Sequence, residues 1–423
     1  MAYILHYIKT RQINKMVPGL KKYDFLIKGV GDMFENIRVL DFTRVFSGPF
    51  CTQMLAELGA EVIKVEVPKK GDETRGWYPL KQDWSGYFMA LNRSKKSITL
   101  NLKEERAITI VKEVVKTCDV VVENFAPGVA KRLGISYEDL KEVNPDLIYL
   151  SLSAYGQSGP NSKLKGYDPI IQADTGVMSL TGEKGGSPVK TAFPIADISS
   201  SLYGAFAIAA ALYKRSITNE GEYIDIALYD SVVSLMGIIA AIPFFKNEVP
   251  QRMGSEHPHR VPSRNYLTGD GSYIHVISNE SQWFILCDLL NLDEKYRRKP
   301  YTTDLGRLEN REEVDNQIQN ALLNKSGKDW VALFKDYGVP CSLVNNLDQV
   351  LKSEQTKSRE LLISWTQDNL GEVTGLNFPY KFLHSQSKVT RPVPKLGEHT
   401  NEILKEIGYT SSQITNLRNE GII

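Results

Sequence analysis

The apolar positions fall into short runs separated by helical patterns. Ile37-Arg38-Val39-Leu40-Asp41-Phe42 reads as a strand, closed by Ser47-Gly48-Pro49. Cys51–Leu58 reads as a helix with Leu55 and Leu58 on one side, stopped by Gly59. Ala60–Glu66 is a second strand. Glu104–Thr117 places Ile108, Val111, Val114 and Val115 at helical spacing. Asp119–Glu123 is a third strand, and Leu147–Leu152, after a helix ending near Val143, is a fourth. Strands alternating with helices predict parallel βαβ units and a doubly wound sheet. Further on, Leu202–Tyr213 is an Ala-rich helix, Tyr223–Leu228 a strand and Ser231–Ala241 a buried helix. Pro, Gly and His cluster from Phe244 to Arg264 as a loop region. Tyr273–Ile277 and Ser281–Leu290 begin a second, small α/β unit running from about Gly254 to Cys341. The last helix is Thr400–Ile407. No internal repeat or low-complexity tract interrupts this pattern.

Composition narrows the class. The 423 residues carry 51 basic and 50 acidic side chains, so the chain lacks the strongly basic face that nucleic-acid binding needs. With 42% apolar residues it is not held unfolded by charge. Cys51, Cys118, Cys287 and Cys341 form no CxxC, which excludes a disulfide scaffold, a zinc ribbon and a thioredoxin-type site. No apolar run approaches the roughly 20 residues that span a bilayer. The expectation is a soluble two-domain enzyme of a reducing compartment, with no membrane partner.

Residues 1–32 differ from the rest. Lys9, Arg11, Lys15, Lys21, Lys22 and Lys28 face one acid, Asp24, before Asp32. A transit peptide is basic and acid-poor, but also Arg- and Ser-rich. The segment therefore reads as an extension ahead of the fold, with Met33 as an internal candidate start. The compartment expected is the cytoplasm, or the mitochondrial matrix if the extension is a transit peptide.

The familiar motifs are missing. After the first strand the chain reads Thr43-Arg44-Val45-Phe46-Ser47-Gly48-Pro49, not Gly-x-Gly-x-x-Gly, and Thr181–Gly186 lacks the phosphate-loop order. No Gly-x-Ser-x-Gly follows a strand. His257-x-His259 has too few ligands for a metal, so none is expected. Two acids stand out. Asp168 lies in Lys165-Gly166-Tyr167-Asp168-Pro169, and Asp197 precedes Ser199-Ser200-Ser201 and a long helix. On residues alone Asp197 reads first as a helix N-cap, because Asp is a favoured cap. The functional reading is a carboxylate suited to nucleophilic catalysis.

The ordered segments Val39–Thr43, Gly59–Glu66, Gly71–Arg75, Asn92–Ile98, Val122–Gly128, Tyr155–Pro160 and Leu396–Thr400 resemble those of the class III CoA-transferases, from about Phe34 to the C-terminus. That resemblance implies an α/β chain with a Rossmann-like large domain and a smaller α/β domain. It also implies a ring interlocked with a second copy in a homodimer. The corresponding division is 1–32 extension, 33–230 large domain, 231–253 linker, 254–341 small domain, and 342–423 linker and completion of the large domain.

The resemblance also implies that Asp197 is the nucleophile and Asp168 a supporting acid. Coenzyme A contacts fall by resemblance on Val45, Phe46, Leu100, Lys103, Asn124, Phe125, Ala126, Arg132, Lys165, Tyr167 and Asp168. A substrate loop falls on Gly254, Ser255 and His257. Coenzyme A or acyl-CoA enters as substrate, with a carboxylic acid as the other partner and no permanently bound cofactor. Formyl-CoA transferases carry Gln where this chain has Phe46 and Arg where it has Val67, so formate and oxalate fit poorly. The pattern is more similar to the succinyl-CoA:dicarboxylate transferases, and Arg44, His257, Arg260 and Arg264 are candidates for the distal carboxylate. The rival readings are an α-methylacyl-CoA racemase and a non-catalytic acyl-CoA-binding protein. In racemases a His precedes the acid, where this chain has Tyr167, a poor base at neutral pH.

Overall fold

A computed structural model describes residues 32–385 and 388–423; all but the last residue of the 1–32 extension lies outside them. Six strands form one sheet: β1 (Arg38–Asp41), β2 (Glu61–Glu66), β3 (Lys95–Thr99), β4 (Val120–Glu123), β5 (Ile148–Ser153) and β6 (Glu222–Ala227). Their order is β3-β2-β1-β4-β5-β6, with every neighbouring pair parallel. This is the doubly wound, Rossmann-like order, in which strand succession reverses between β1 and β4.

Both faces of β1, β2, β4 and β5 are covered, so their buried positions run consecutively rather than alternating with exposed ones. Leu40, Ile63, Val121 and Tyr149 point into one core, and Val39, Val62, Val120 and Ile148 into the other. The second core is closed by α1 (Ser47–Glu57), the first by α2 (Glu105–Val115). Further helices are α3 (Asp168–Asp174), α4 (Ile195–Thr218), α5 (Leu228–Leu235) and α6 (Gly237–Lys246). On α4, Gly204 lets the helix lie close to the sheet: a Cβ there would stand 3.0 Å from Leu150 and 3.3 Å from Cys51.

Several expectations change. Strand β3 is polar in sequence, yet Lys95 is fully buried; its ammonium donates to Asp41 (3.1 Å), the Pro49 carbonyl (2.9 Å) and Asn92 (3.1 Å). Helix α4 begins seven residues before the Ala-rich stretch. It is 24 residues long and contains an 18-residue stretch of mean hydropathy 1.5, enough by length and composition to cross a membrane, contrary to the sequence reading. In the fold its Ile208 and Ala211 pack into the sheet core. The single buried helix expected over Ser231–Ala241 is instead two helices, α5 and α6, bent by 67°. No residue of α6 is buried, and Ile238 and Phe245 are 90% and 88% exposed. A helix apolar on every side is covered only when another surface supplies the far face, and the described residues leave α6 uncovered.

The second sheet is antiparallel, β7 (Ser263–Leu267), β8 (Tyr273–Ile277) and β9 (Cys341–Leu343), in the order β9-β8-β7. It packs with α7 (Glu280–Leu289), α8 (Arg311–Leu322) and α9 (Gly327–Asp336) around Trp283, Ile318, Trp330 and Phe334. A hairpin, β10 (Leu362–Gln367) and β11 (Gly371–Leu376), follows. The C-terminal α10 (Thr400–Glu406) and α11 (Ser411–Asn419) return to the large sheet and add Ile403, Leu404, Ile414 and Leu417 to its first core.

Candidate active site

A crevice outside the strand ends, where strand order reverses, is the position a doubly wound sheet offers a ligand. Here it holds a cavity of about 340 Å³. Its wall includes Arg44, Val45, Phe46, Asn124, Phe125, Ala126, Lys165, Tyr167 and Asp197. Asn124 ties the two loops together: its side-chain carbonyl accepts the Arg44 amide (2.9 Å), and its amide donates to the Arg44 carbonyl (2.7 Å).

The first loop is held in an unusual shape. Val45 has φ +68°, in the left-handed region that a β-branched residue avoids. The Asp72 carboxylate accepts the Val45 amide at 3.3 Å and pairs with Lys64 at 3.0 Å; both side chains are fully buried. Burial pushes Asp72 upward, but Lys64 and the bonds from Thr74 outweigh it and hold the acid at about 2. Lys64 also donates to the Thr43 carbonyl (2.6 Å), so this pair ties the loop to the middle of the sheet.

Asp197 does not cap α4. It is the third residue of the helix, whose N-cap is Pro194. The cap comes from Asp168: one carboxylate oxygen accepts the Ala196 amide (2.7 Å) and, more weakly, the Asp197 amide (3.4 Å). The other accepts the Gln172 side chain (2.6 Å), whose carbonyl in turn accepts the Thr191 amide (2.9 Å). The sequence reading had the right device on the wrong residue, because the capping carboxylate is 28 residues upstream. The following serines fasten the helix, Ser201 donating to the Ser47 carbonyl and the Asp197 carbonyl, each at 2.6 Å.

Asp197 is left in the cavity wall, partly buried. Burial, then the nearby charge of Asp168, raises its acid from 3.8 to about 7. A carboxylate of that basicity is a stronger nucleophile than a solvated one and is still half ionised at neutral pH.

Other expected residues lie elsewhere. Leu100 is 1% exposed in the core beneath α2 and does not reach the cavity. Lys103 and Arg132 stand outside its wall. So do Gly254, Ser255 and His257. The Gly254 amide donates to the Gly182 carbonyl, Ser255 accepts the Asn265 amide, and the His257 ring accepts the His259 amide. Arg264, offered for a distal carboxylate, pairs with Glu256 at 3.2 Å. Arg44 does line the cavity and lies over the Phe125 ring. Among the described residues no group of three or more His, Cys, Asp or Glu is placed to hold a metal.

The sequence reading missed Tyr87 and Trp77, whose rings meet at 5.1 Å, Tyr87 also meeting Phe46 at 6.2 Å. Burial, then the charges of Asp197, Asp72 and Asp168, push the Tyr87 phenol up to about 12. Trp77, Tyr78, Trp84, Tyr87 and Phe88 crowd this segment, and nothing in their order singles out Tyr87. The Gly71-Asp72 motif points to Asp72, but nothing in it names Val45 as the group held.

A profile of CoA-transferase family III matches residues 34–400. The chain belongs to that family. Succinyl-CoA:glutarate CoA-transferase of Mus musculus is 36% identical over 391 residues, spanning 92% of this chain and 90% of its own length. Succinate–glutarate CoA-transferase of Agrobacterium fabrum is 34% identical over 379 residues, 88% of this chain and 95% of its own. The crystal structure of a CaiB/BaiF family protein from Brucella suis superposes with a TM-score of 0.80 at 34% identity, covering 89% of this chain and all of that one. This class III CoA-transferase therefore takes CoA thioesters as substrates, and the α/β architecture is that of CaiB/BaiF proteins.

Proposed function

We propose that this CoA-transferase moves CoA from succinyl-CoA to a dicarboxylic acid such as glutarate, with Asp197 as the nucleophile. The observation that carries the reading is a carboxylate of raised basicity in the switch-point cavity, without an ion-pair partner among the described residues. An Asp197 oxygen attacks the thioester carbonyl of the donor, expelling CoA thiolate and forming an aspartyl–succinyl anhydride. The thiolate attacks the aspartyl carbonyl, releasing succinate and leaving an aspartyl-CoA thioester. The acceptor carboxylate attacks that thioester, giving a second anhydride and thiolate. The thiolate then takes the acceptor's acyl group, and Asp197 is regenerated. Each step exchanges one activated acyl bond for another, so no ATP enters.

Around the nucleophile, Val45, Phe46, Asn124, Phe125, Ala126, Lys165 and Tyr167 hold the pantetheine end of CoA, and Asp168 sets Asp197 in place. Arg132 and Lys103 serve phosphates beyond the cavity, and Arg44 the distal carboxylate of the acceptor. The racemase reading needs a free acid–base pair, whereas both oxygens of Asp168 already accept hydrogen bonds. A second copy covers the exposed apolar face of α4, α5 and α6 and brings the Gly254–His257 loop to this site. Light scattering of wild type and Phe245→Glu tests that arrangement: the variant should run as a monomer.

The chemistry is tested by intact-protein mass spectrometry of wild type and Asp197→Ala incubated with succinyl-CoA and hydroxylamine. The reading expects an adduct at Asp197 in the wild type and none in the variant. No adduct, with deuterium entering the acyl α-carbon, would replace it by the racemase reading. Binding with neither reaction would leave a non-catalytic acyl-CoA carrier.

A further inference from the structure

Behind Phe46 lies a second cavity, larger than the first, at about 750 Å³. It opens between α1, the helix Gly86–Asn92 and the β10–β11 hairpin, and its wall is mostly apolar: Phe50, Trp84, Met89, Trp365, Leu376 and Phe378 among others. That size and lining are those of a small-molecule site. Phe46 belongs to both walls. Its ring meets that of Tyr87 at 6.2 Å.

The polar groups of this second wall limit what it takes. Arg93 is a buried cation, but it donates to Glu57 and to the Leu376 carbonyl (2.8 Å), so its charge is already matched. Lys81 stands on exposed backbone at the rim. Among the described residues, a second carboxylate finds no free cation in the depth of the cavity. Gln53 is fully buried; its amide nitrogen donates to Glu57 (3.0 Å), which fixes the orientation and leaves its carbonyl oxygen without a partner. A buried unpaired acceptor is unfavourable until a donor reaches it.

We propose that this cavity receives the non-reacting end of a carboxylic acid substrate. The acid's carboxylate lies at Asp197 and its tail passes Phe46. The acids it selects carry an aliphatic or aryl tail, best ending in a hydroxyl that donates to Gln53. The proposal rests on Asp197 being the acyl-accepting carboxylate and extends the substrate class past short dicarboxylates.

The test titrates the full-length enzyme with octanoate, 8-hydroxyoctanoate and glutarate by calorimetry. The same acids then serve as CoA acceptors from succinyl-CoA. Ala90 lines the cavity with its side chain exposed, so Ala90→Trp fills the space without entering the core. Both eight-carbon acids should bind and accept CoA. In Ala90→Trp, octanoate kcat/KM should fall at least tenfold relative to glutarate, with a matching loss of octanoate binding. Gln53→Leu should erase any advantage of 8-hydroxyoctanoate over octanoate. Failure of both eight-carbon acids to bind, or an equal effect of Ala90→Trp on all three acids, overturns the proposal. Octanoate bound and displaced by Ala90→Trp, with no Asp197 adduct and no transfer to any acid, would instead refute the catalytic reading and leave the cavity assignment standing.

Discussion

If Asp197 is held as a reluctant carboxylate, removing its charge should stabilise the protein, and only at the right pH. The acid rises from 3.8 to about 7 on folding, through burial first and the Asp168 charge second. A raised acid pKa means that the folded state binds the proton more tightly than the unfolded one. Below pH 3.8 both states are protonated and there is no penalty. Between 3.8 and 7 the unfolded chain ionises first, so stability falls as pH rises. Above 7 the penalty is complete. At about 1.36 kcal/mol per pH unit the ceiling is about 4 kcal/mol. The same arithmetic gives about 1.6 kcal/mol at pH 5 and about 4 kcal/mol at pH 8. Asp197→Asn keeps the shape and loses the charge, so urea denaturation at fixed protein concentration should show it more stable than wild type. The gain should widen by roughly 2–3 kcal/mol from pH 5 to pH 8. Transfer activity should vanish in the same variant, the usual trade between stability and an active site. A gain that does not change with pH, or a variant less stable than wild type at pH 8, would refute the electrostatic account.

Asp168→Asn retains an acceptor for the Ala196 amide and removes the like charge beside Asp197. Its adduct-formation rate should therefore reach the alkaline plateau at a lower pH than in wild type, whereas Asp168→Ala should lose about 0.5–2 kcal/mol through the missing cap. Asp72→Leu removes the carboxylate that pairs with the fully buried Lys64, and urea denaturation should read a loss of about 3–5 kcal/mol. Adding Lys64→Met should recover part of it. Gly204→Val puts a side chain into the 3.0 Å gap before Leu150, and thermal unfolding should come earlier by the equivalent of about 1–3 kcal/mol.

Sequence patterning reads β1, β2, β4 and β5 well, because they are buried on both faces and carry adjacent Val, Ile and Leu, broken in β2 only by the buried Lys64. It misses β3, where burial is compensated by ions: Lys95 is admitted by Asp41 and Asn92, partners that no window around residue 95 reveals in full. It misplaces α6 in the opposite sense, since Ile238 and Phe245 are apolar and yet exposed in the single chain. Many of the residues that the resemblance names, from Val45 to Asp197, share one cavity wall in the structure. The resemblance does not distinguish a wall residue such as Asn124 from Leu100, which is close in the chain to the strand end but turned into the core.

The two aspartates show how a fold divides one chemistry between like groups. Both sit at the start of a helix, Asp168 as the first residue of α3 and Asp197 as the third of α4. A helix N-terminus offers a few unpaired amides, which favour a nearby anion. In α4 the donors of Ala196 and Asp197 are directed at Asp168. Asp168 is thus hydrogen-bonded through both oxygens. Asp197, on the same helix, is denied those amides, faces the cavity and stands beside a second negative charge. Had the cap been Asp197 itself, the amides would have stabilised its negative charge and lowered its basicity. Donating them to a neighbour keeps the helix capped and leaves the Asp197 carboxylate basic, so the difference between the two acids follows from which carboxylate the Ala196 amide meets.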